Sequence, residues 1–215
     1  MKVLITGADG MLGSSICREA LSQGYEVRVM VLPGRTVSVL EGLDLTYCYG
    51  NLLDPESLYQ AVDGCDYVIN VAASTQMWPR RSEVIWKVNY HAVEHLVEAS
   101  KRFNVKRFVQ IGTANSFWHG SISEPGNELT PFNGGAYKMD YVDSKYKAQS
   151  YIIDQCKTGQ ISGVVINPTY MIGPFDSGPS SGKMLMALFM GSLPGYTSGI
   201  KNFVASKDVA VAAVN

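Results

Sequence analysis

Apolar and polar positions change period repeatedly along this chain. The run Lys2-Val3-Leu4-Ile5-Thr6 reads as a buried strand and gives way to helical spacing from about Met11 to Ser22, closed by Gly24. Glu26 to Leu32 is a second strand, stopped by Pro33-Gly34, and Leu45 to Tyr49 a third. Asp54-Pro55-Glu56-Ser57 predicts an N-cap followed by proline in the first turn, with the helix running to about Val62. Asp66 to Val71 is a fourth strand, and a long helix covers roughly Ser82 to Phe103. Arg107 to Ile111 is a fifth strand, a helix spans about Ala136 to Lys157, and Ser162 to Asn167 is a sixth strand. Such alternation predicts an α/β fold: a doubly wound parallel sheet with helices on both faces. Ligands of these sheets sit at the carboxyl ends of the strands, where strand order reverses. The segments beginning at Gly7 and Gly112 directly follow strands, and so fall on that edge.

The pattern changes after Asn167. Glycine and proline recur through Pro168, Gly173-Pro174, Gly178-Pro179, Gly182, Gly191, Pro194-Gly195 and Gly199, interrupted by one apolar helix from about Gly182 to Met190. Residues 1–167 therefore read as a dinucleotide-binding domain and residues 168–215 as a small, incomplete C-terminal substrate lobe. Val211-Ala212-Ala213-Val214-Asn215 falls inside a helical pattern with no capping glycine or polar stop, which leads us to expect a shortened chain.

The 215 residues are 46% hydrophobic and 17% charged, enough for one substantial core. A formal net charge of -1 without any long basic run gives nucleic-acid or membrane-surface binding no electrostatic support. Gly7 interrupts the first apolar stretch too early for a signal peptide, and no segment approaches the length of a membrane span. The expected location is cytoplasmic. Cys17, Cys48, Cys65 and Cys156 are scattered without metal-ligand spacing, so no metal site or disulfide is expected.

Two segments carry the chemistry. Thr6-Gly7-Ala8-Asp9-Gly10-Met11-Leu12-Gly13 lies between the first strand and the first helix. Gly7 permits a tight turn, Gly10 lets the backbone approach a pyrophosphate, and Gly13 lets the helix pack close to the sheet. The helix start offers unpaired N–H groups and a partial positive charge to phosphates. At the end of the second strand an acid would bind a ribose 2′-hydroxyl. Here Leu32-Pro33-Gly34-Arg35 has none, and Arg35 is close enough to meet a 2′-phosphate, so NADP is favoured over NAD.

The second segment is Tyr141-Val142-Asp143-Ser144-Lys145, whose tyrosine and lysine share one helix face. A nearby ammonium and a positive nicotinamide both favour the phenolate, making tyrosine a usable proton shuttle. In Ile111-Gly112-Thr113-Ala114-Asn115-Ser116, Thr113 is the first hydroxyl off the sheet and the candidate for orienting a substrate oxygen, with Ser116 its rival. Gln76, Trp78, Ser116 and Trp118 follow the fourth and fifth strands and should border a substrate pocket suited to a ring-bearing or apolar small molecule.

Together these residues resemble the extended short-chain dehydrogenase/reductase family, the epimerase/dehydratase superfamily, over nearly the whole chain. Gly50-Asn51-Leu52-Leu53-Asp54 is similar to its adenine-contact segment, and Val68 to Ala73 to its fourth strand. Val88-Asn89 with His95 to Ala99 resembles its long helix. Asn167-Pro168-Thr169 through Gly173-Pro174 resembles the dihydroflavonol-4-reductase-like branch. The resemblance implies a Rossmann-like fold and a catalytic set of Thr113, Tyr141 and Lys145. It implies cofactor contacts from Gly7, Asp9, Gly10, Met11, Leu12, Arg35, Asn51, Leu52, Val71, Ala72, Ala73, Tyr141, Lys145 and Pro168. The implied activity is NADP(H)-dependent hydride transfer to or from a carbonyl or secondary alcohol, with NAD possible. Two alternatives stay open: an NAD-dependent nucleotide-sugar epimerase or dehydratase, and a non-catalytic dinucleotide-binding protein. Members of the family often dimerise through the two long helices. The pattern departs from the family at Gly112, where serine is frequent, at Thr113 in place of serine, and at Asn51 in place of aspartate.

Overall fold

The computed structural model describes residues 1–176, 178, 180–195 and 198–215; Pro179, one of the turn signals of the tail, lies outside them. Six parallel strands form one sheet: β1 (Lys2–Thr6), β2 (Glu26–Val31), β3 (Leu45–Tyr49), β4 (Tyr67–Asn70), β5 (Arg107–Ile111) and β6 (Gly163–Ile166). Their order is β3-β2-β1-β4-β5-β6. The order reverses between β1 and β4, and the crevice at that point opens at the carboxyl ends of both strands. The doubly wound, Rossmann-like architecture is present as the alternation predicts.

Successive residues of each strand serve opposite faces. Val3 and Ile5 of β1 join the cluster under α1 (Met11–Ser22), while Leu4 joins the cluster under α2 (Pro55–Val62) and the helices that follow β4 and β5. In that second cluster Phe108, Leu58, Leu96 and Ile152 are fully buried. Asp54 caps α2 as expected: its carboxylate accepts from the N–H groups of Glu56 and Ser57 at 3.2 and 3.3 Å.

Three elements depart from the sequence reading. The helix expected over 82–103 is continuous but not uniform: α3 (Glu83–Trp86) passes through a π-helical turn, Lys87–His91, into α4 (Ala92–Arg102). The wider turn carries Asn89, only 2% exposed, whose side chain is held by the backbone of the β4 loop. The helix expected from 136 begins later, as α5 (Asp140–Lys157); residues Gly134–Tyr137 form a 3₁₀ turn, and Lys138, at φ 50°, breaks the helical path. In the tail, β7 (Tyr170–Ile172) and β8 (Phe203–Ala205) pair as a small parallel sheet that periodicity did not predict.

Between them lies α6 (Gly182–Phe189), with no buried residue. After β8 comes α7 (Ser206–Val214), whose Val209, Ala210 and Ala213 join the cluster under α1. A helix inside the residues expected to form the lobe, 168–215, thus packs on the main sheet instead. No helix among the described residues is long and apolar enough to cross a membrane.

Candidate active site

The glycine turn is built by close approach. Gly7 has φ 64°, and a Cβ there would lie 2.7 Å from the backbone nitrogen of Ala72 at the end of β4. A Cβ on Gly13 would lie 2.1 Å from the Gly7 carbonyl oxygen, so only glycine lets α1 start this near the strand. Gly10 is different: a Cβ there meets nothing nearer than 3.5 Å, so the chain's own packing does not demand glycine. The start of α1 has no side-chain cap and no acid in its first turn. Free amides, a positive helix end and an open glycine are the features a dinucleotide diphosphate needs, and these residues fit one. Leu12 is available only through its backbone in this sense, since its side chain is buried in the core, whereas Met11 is half-buried.

Around this turn the other expected contacts are arranged in a rim. Val71, Ala72 and Ala73 run from the end of β4, half-buried. Asn51 is exposed, its Oδ1 accepting from Leu53 N–H at 2.9 Å, and Leu52 packs against the second core cluster. Arg35 is 65% exposed and its guanidinium lies 3.4 Å from the Asp9 carboxylate. The expected phosphate-binding cation therefore already has an acidic neighbour on the glycine turn.

The candidate catalytic residues meet at the carboxyl end of β5. Thr113 is the first residue after Gly112 to turn off the sheet, and its N–H donates to Asn167 Oδ1 at 2.9 Å. Its hydroxyl faces the Tyr141 phenol, one helical turn before Lys145 on α5, and acts to lower the phenol's pKa. Burial raises the pKa of Tyr141 above its ordinary 10, outweighing the lowering by Thr113. Lys145 is 4% exposed, and burial pulls its pKa down to about 8. Its ammonium donates to the Ile111 carbonyl at 2.6 Å rather than acting on Tyr141. Pro168 is buried, its carbonyl accepting from Ala114 N–H at 3.0 Å, which seals the end of β6 against the same turn.

The expected substrate-side residues are more dispersed. Ser116 is 2% exposed and its hydroxyl has no partner. Trp118 is half-buried, with its ring 4.0 Å from that of exposed His119, centroid to centroid. Gln76 is exposed and Trp78 is 76% exposed, so neither packs against the catalytic set. A separate cavity of about 260 Å³ opens at the other end of the sheet, beside Val3, Tyr67, Arg107 and Val164, and takes no part in this site.

Several polar residues that hold the site were not singled out from the sequence. Asn89 accepts from Ser74 N–H at 2.8 Å and donates to the Ser74 carbonyl at 3.0 Å and to Ser144 Oγ at 3.3 Å, tying the β4 loop to α5. Asp140, at the start of α5, accepts from Arg81 and from Ser82 N–H, each at 2.6 Å. Burial raises its pKa, but these hydrogen bonds outweigh that and hold it below the usual carboxylate range. Thr6, Asn70 and Gln110 form a buried polar row across three strands. The signal for them was a polar residue at or next to the end of each otherwise apolar strand.

The fold has counterparts among known proteins. A putative dihydroflavonol 4-reductase from Synechocystis is 26% identical over 211 residues, covering 96% of this chain and 60% of that protein. The crystal structure of gox2253 superposes with a TM-score of 0.90 at 27% identity, over 98% of this chain and 64% of that one. The Bordetella bronchiseptica enzyme WbmH, solved in complex with NAD+, superposes with a TM-score of 0.82 at 27% identity, over 99% of this chain and 71% of that one. The chain thus spans about 60% of the length of the reductase it resembles. The family model described as NAD dependent epimerase/dehydratase family matches residues 3–213, and the chain belongs to that family.

Proposed function

We propose that the chain is an NADP(H)-dependent oxidoreductase working on a carbonyl compound or the corresponding secondary alcohol. The observation that carries this reading is the meeting of Thr113, Tyr141 and Lys145 at the carboxyl end of β5, beside the glycine turn. The dinucleotide, when bound, supplies or accepts the hydride. Tyr141 gives its phenolic proton to the substrate oxygen as that oxygen gains charge. Burial keeps the phenol protonated at neutral pH, which suits the reductive direction. Thr113 Oγ1 holds the substrate oxygen against the phenol, and Lys145 would hold the hydroxyls of the nicotinamide ribose. The amides of the α1 start and Gly10 would hold the diphosphate, with Asn51, Leu52, Val71, Ala72, Ala73 and Pro168 along the rest of the cofactor. We assign Ser116 and Trp118 to the substrate side of Thr113, and Gln76 and Trp78 to the outer lip. Within this reading, residues 1–167 carry the cofactor and residues 168–215 contribute to a substrate lobe.

A second reading is an epimerase or dehydratase with tightly held NAD. It is supported by the Asp9 carboxylate beside Arg35, which offsets the positive charge that a 2′-phosphate would need. Purified protein is assayed with NADPH and NADH against a panel of small ketones and aldehydes, alongside the Tyr141→Phe variant. Reduction that the variant loses while keeping its dinucleotide affinity supports the proposal. Unchanged turnover in the variant overturns the mechanism. Dinucleotide binding without any turnover leaves a non-catalytic binding protein.

A further inference from the structure

The row of polar side chains beneath the site is continuous and directional. Thr6, Asn70 and Gln110 occupy matching register positions on β1, β4 and β5, so they stand side by side on the sheet face that α5 covers. Their exposures are 0%, 3% and 2%. Thr6 Oγ1 donates to Asn70 Oδ1 at 2.5 Å, Asn70 Nδ2 donates to Gln110 Oε1 at 2.9 Å, and Gln110 Nε2 donates to the Ile111 carbonyl at 2.9 Å. Thr6 Oγ1 in turn accepts from the N–H groups of Val71 and Ala72 at 3.2 and 3.3 Å, which fixes the start of the row at the glycine turn. Each amide is held at both ends, so its orientation is set.

The row ends on an oxygen that has a second donor. The Ile111 carbonyl accepts from Gln110 and also from Lys145 Nζ, the latter at 2.6 Å. Three buried polar residues at the carboxyl ends of adjoining strands are a costly way to fill a sheet face that Leu or Val would fill. What the row provides is a carbonyl that stays paired when one of its donors leaves. A buried carbonyl with a single donor would be stranded by that departure, and stranding it is unfavourable.

We propose that Gln110 is a positioning residue for Lys145. It keeps the Ile111 carbonyl paired, so that the ammonium can move from that carbonyl to the sugar hydroxyls of a bound dinucleotide, while Thr6 and Asn70 orient the Gln110 amide. The part of this that concerns the sugar hydroxyls rests on the function proposed above. The lysine's resting hydrogen bond, to the Ile111 carbonyl, does not depend on that function. Among the described residues no charged group acts on Lys145; burial alone lowers its pKa, and Tyr141 is its neighbour one turn away on the same helix.

The test uses Gln110→Met, which keeps the length of the side chain but removes the donor, and the double variant Asn70→Leu/Gln110→Met, which also removes the amide left without a partner. Two quantities are measured: the dissociation constants of NADPH and NADH by fluorescence titration, and the titration midpoint of Lys145 by NMR of ¹³Cε-labelled lysine, assigned with Lys145→Arg. Losing the competing donor strengthens the carbonyl as an acceptor for the ammonium. The midpoint should therefore rise from near 8 in both variants, and dinucleotide affinity should fall roughly tenfold, the scale of a stranded buried acceptor. A row that merely fills the sheet would lower the melting temperature and move neither quantity, and that result overturns the proposal. Should the unmodified protein bind neither dinucleotide, the functional reading fails on its own. The row is then judged by the lysine midpoint, a rise supporting it and no change overturning it.

Discussion

A methyl group on Gly13 would sit 2.1 Å from the carbonyl oxygen of Gly7, whereas the same group on Gly10 would find no atom nearer than 3.5 Å. The two glycines of one turn therefore answer to different demands. Gly13→Ala must push α1 away from β1 and should destabilise the fold by about 1–3 kcal/mol, the range for overpacking. Gly10→Ala should leave stability within about 0.5 kcal/mol and weaken dinucleotide binding. Urea denaturation and cofactor titration of the two variants separate the effects. Equal losses of stability would refute the distinction.

Thr113 is tied by its own N–H to Asn167, and its hydroxyl faces the Tyr141 phenol. Thr113→Val preserves the shape and removes the hydroxyl, and should lower kcat by roughly a hundredfold, the lower range for a positioned proton-transfer group. Thr113→Ser should retain most of the turnover. Steady-state kinetics on the reductive reaction distinguishes them, and a fully active valine variant would count against the assigned role.

On the proposed function, cofactor preference turns on the pair formed by Arg35 and Asp9. Both are accessible enough that their 3.4 Å contact contributes little to stability. Asp9→Asn leaves Arg35 without its acidic neighbour and should shift preference toward NADPH. Arg35→Ala should weaken NADPH more than NADH. The ratio of kcat/KM for the two cofactors is the measurement, and a ratio unmoved by either substitution removes Arg35 from the cofactor site.

Lys145 also predicts a pH dependence of stability. Its pKa falls from 10.5 to about 8 on folding because burial disfavours the charged form. Between these values the unfolded chain binds more protons than the folded one, so the penalty is full below about pH 8 and disappears as pH rises toward 10.5. Lys145→Met should accordingly raise the melting temperature most near pH 7, with the gain shrinking between pH 8 and pH 10. A gain independent of pH would mean that the lysine is not held in a low-dielectric site.

Much of this arrangement was legible in the chain because local rules agreed with the tertiary result. The Asp54-Pro55 cap, the strand of Val3-Leu4-Ile5 and the glycine turn behave as their residue types dictate. Legibility ended where one segment answers to another far away. Gly112 departs from the serine frequent in the family, and the structure supplies the reason: a Cβ there would lie 2.1 Å from Asn167 Oδ1, the atom that holds the Thr113 N–H. The π-helical turn at Lys87–His91 follows from Asn89 reaching the β4 loop, a contact across 15 positions that helical periodicity does not encode. The tuning expected of Tyr141 by Lys145 was a matter of spacing alone, and the ammonium faces Ile111 instead.

The placement of α7 bears on how such a chain can be re-engineered. A Cβ on Gly173, just past β7, would clash with Ser206 at the start of α7, so the excursion between them leaves and rejoins the molecule at a single spot. Its base is pinned there by the pairing of β7 with β8 and by the seat of α7 against α1. The two ends of that excursion are anchored to the molecule. Loops of other lengths and chemistries could be exchanged between those anchors without disturbing the sheet, whereas cutting the chain after β6 would strip α1 of its cover.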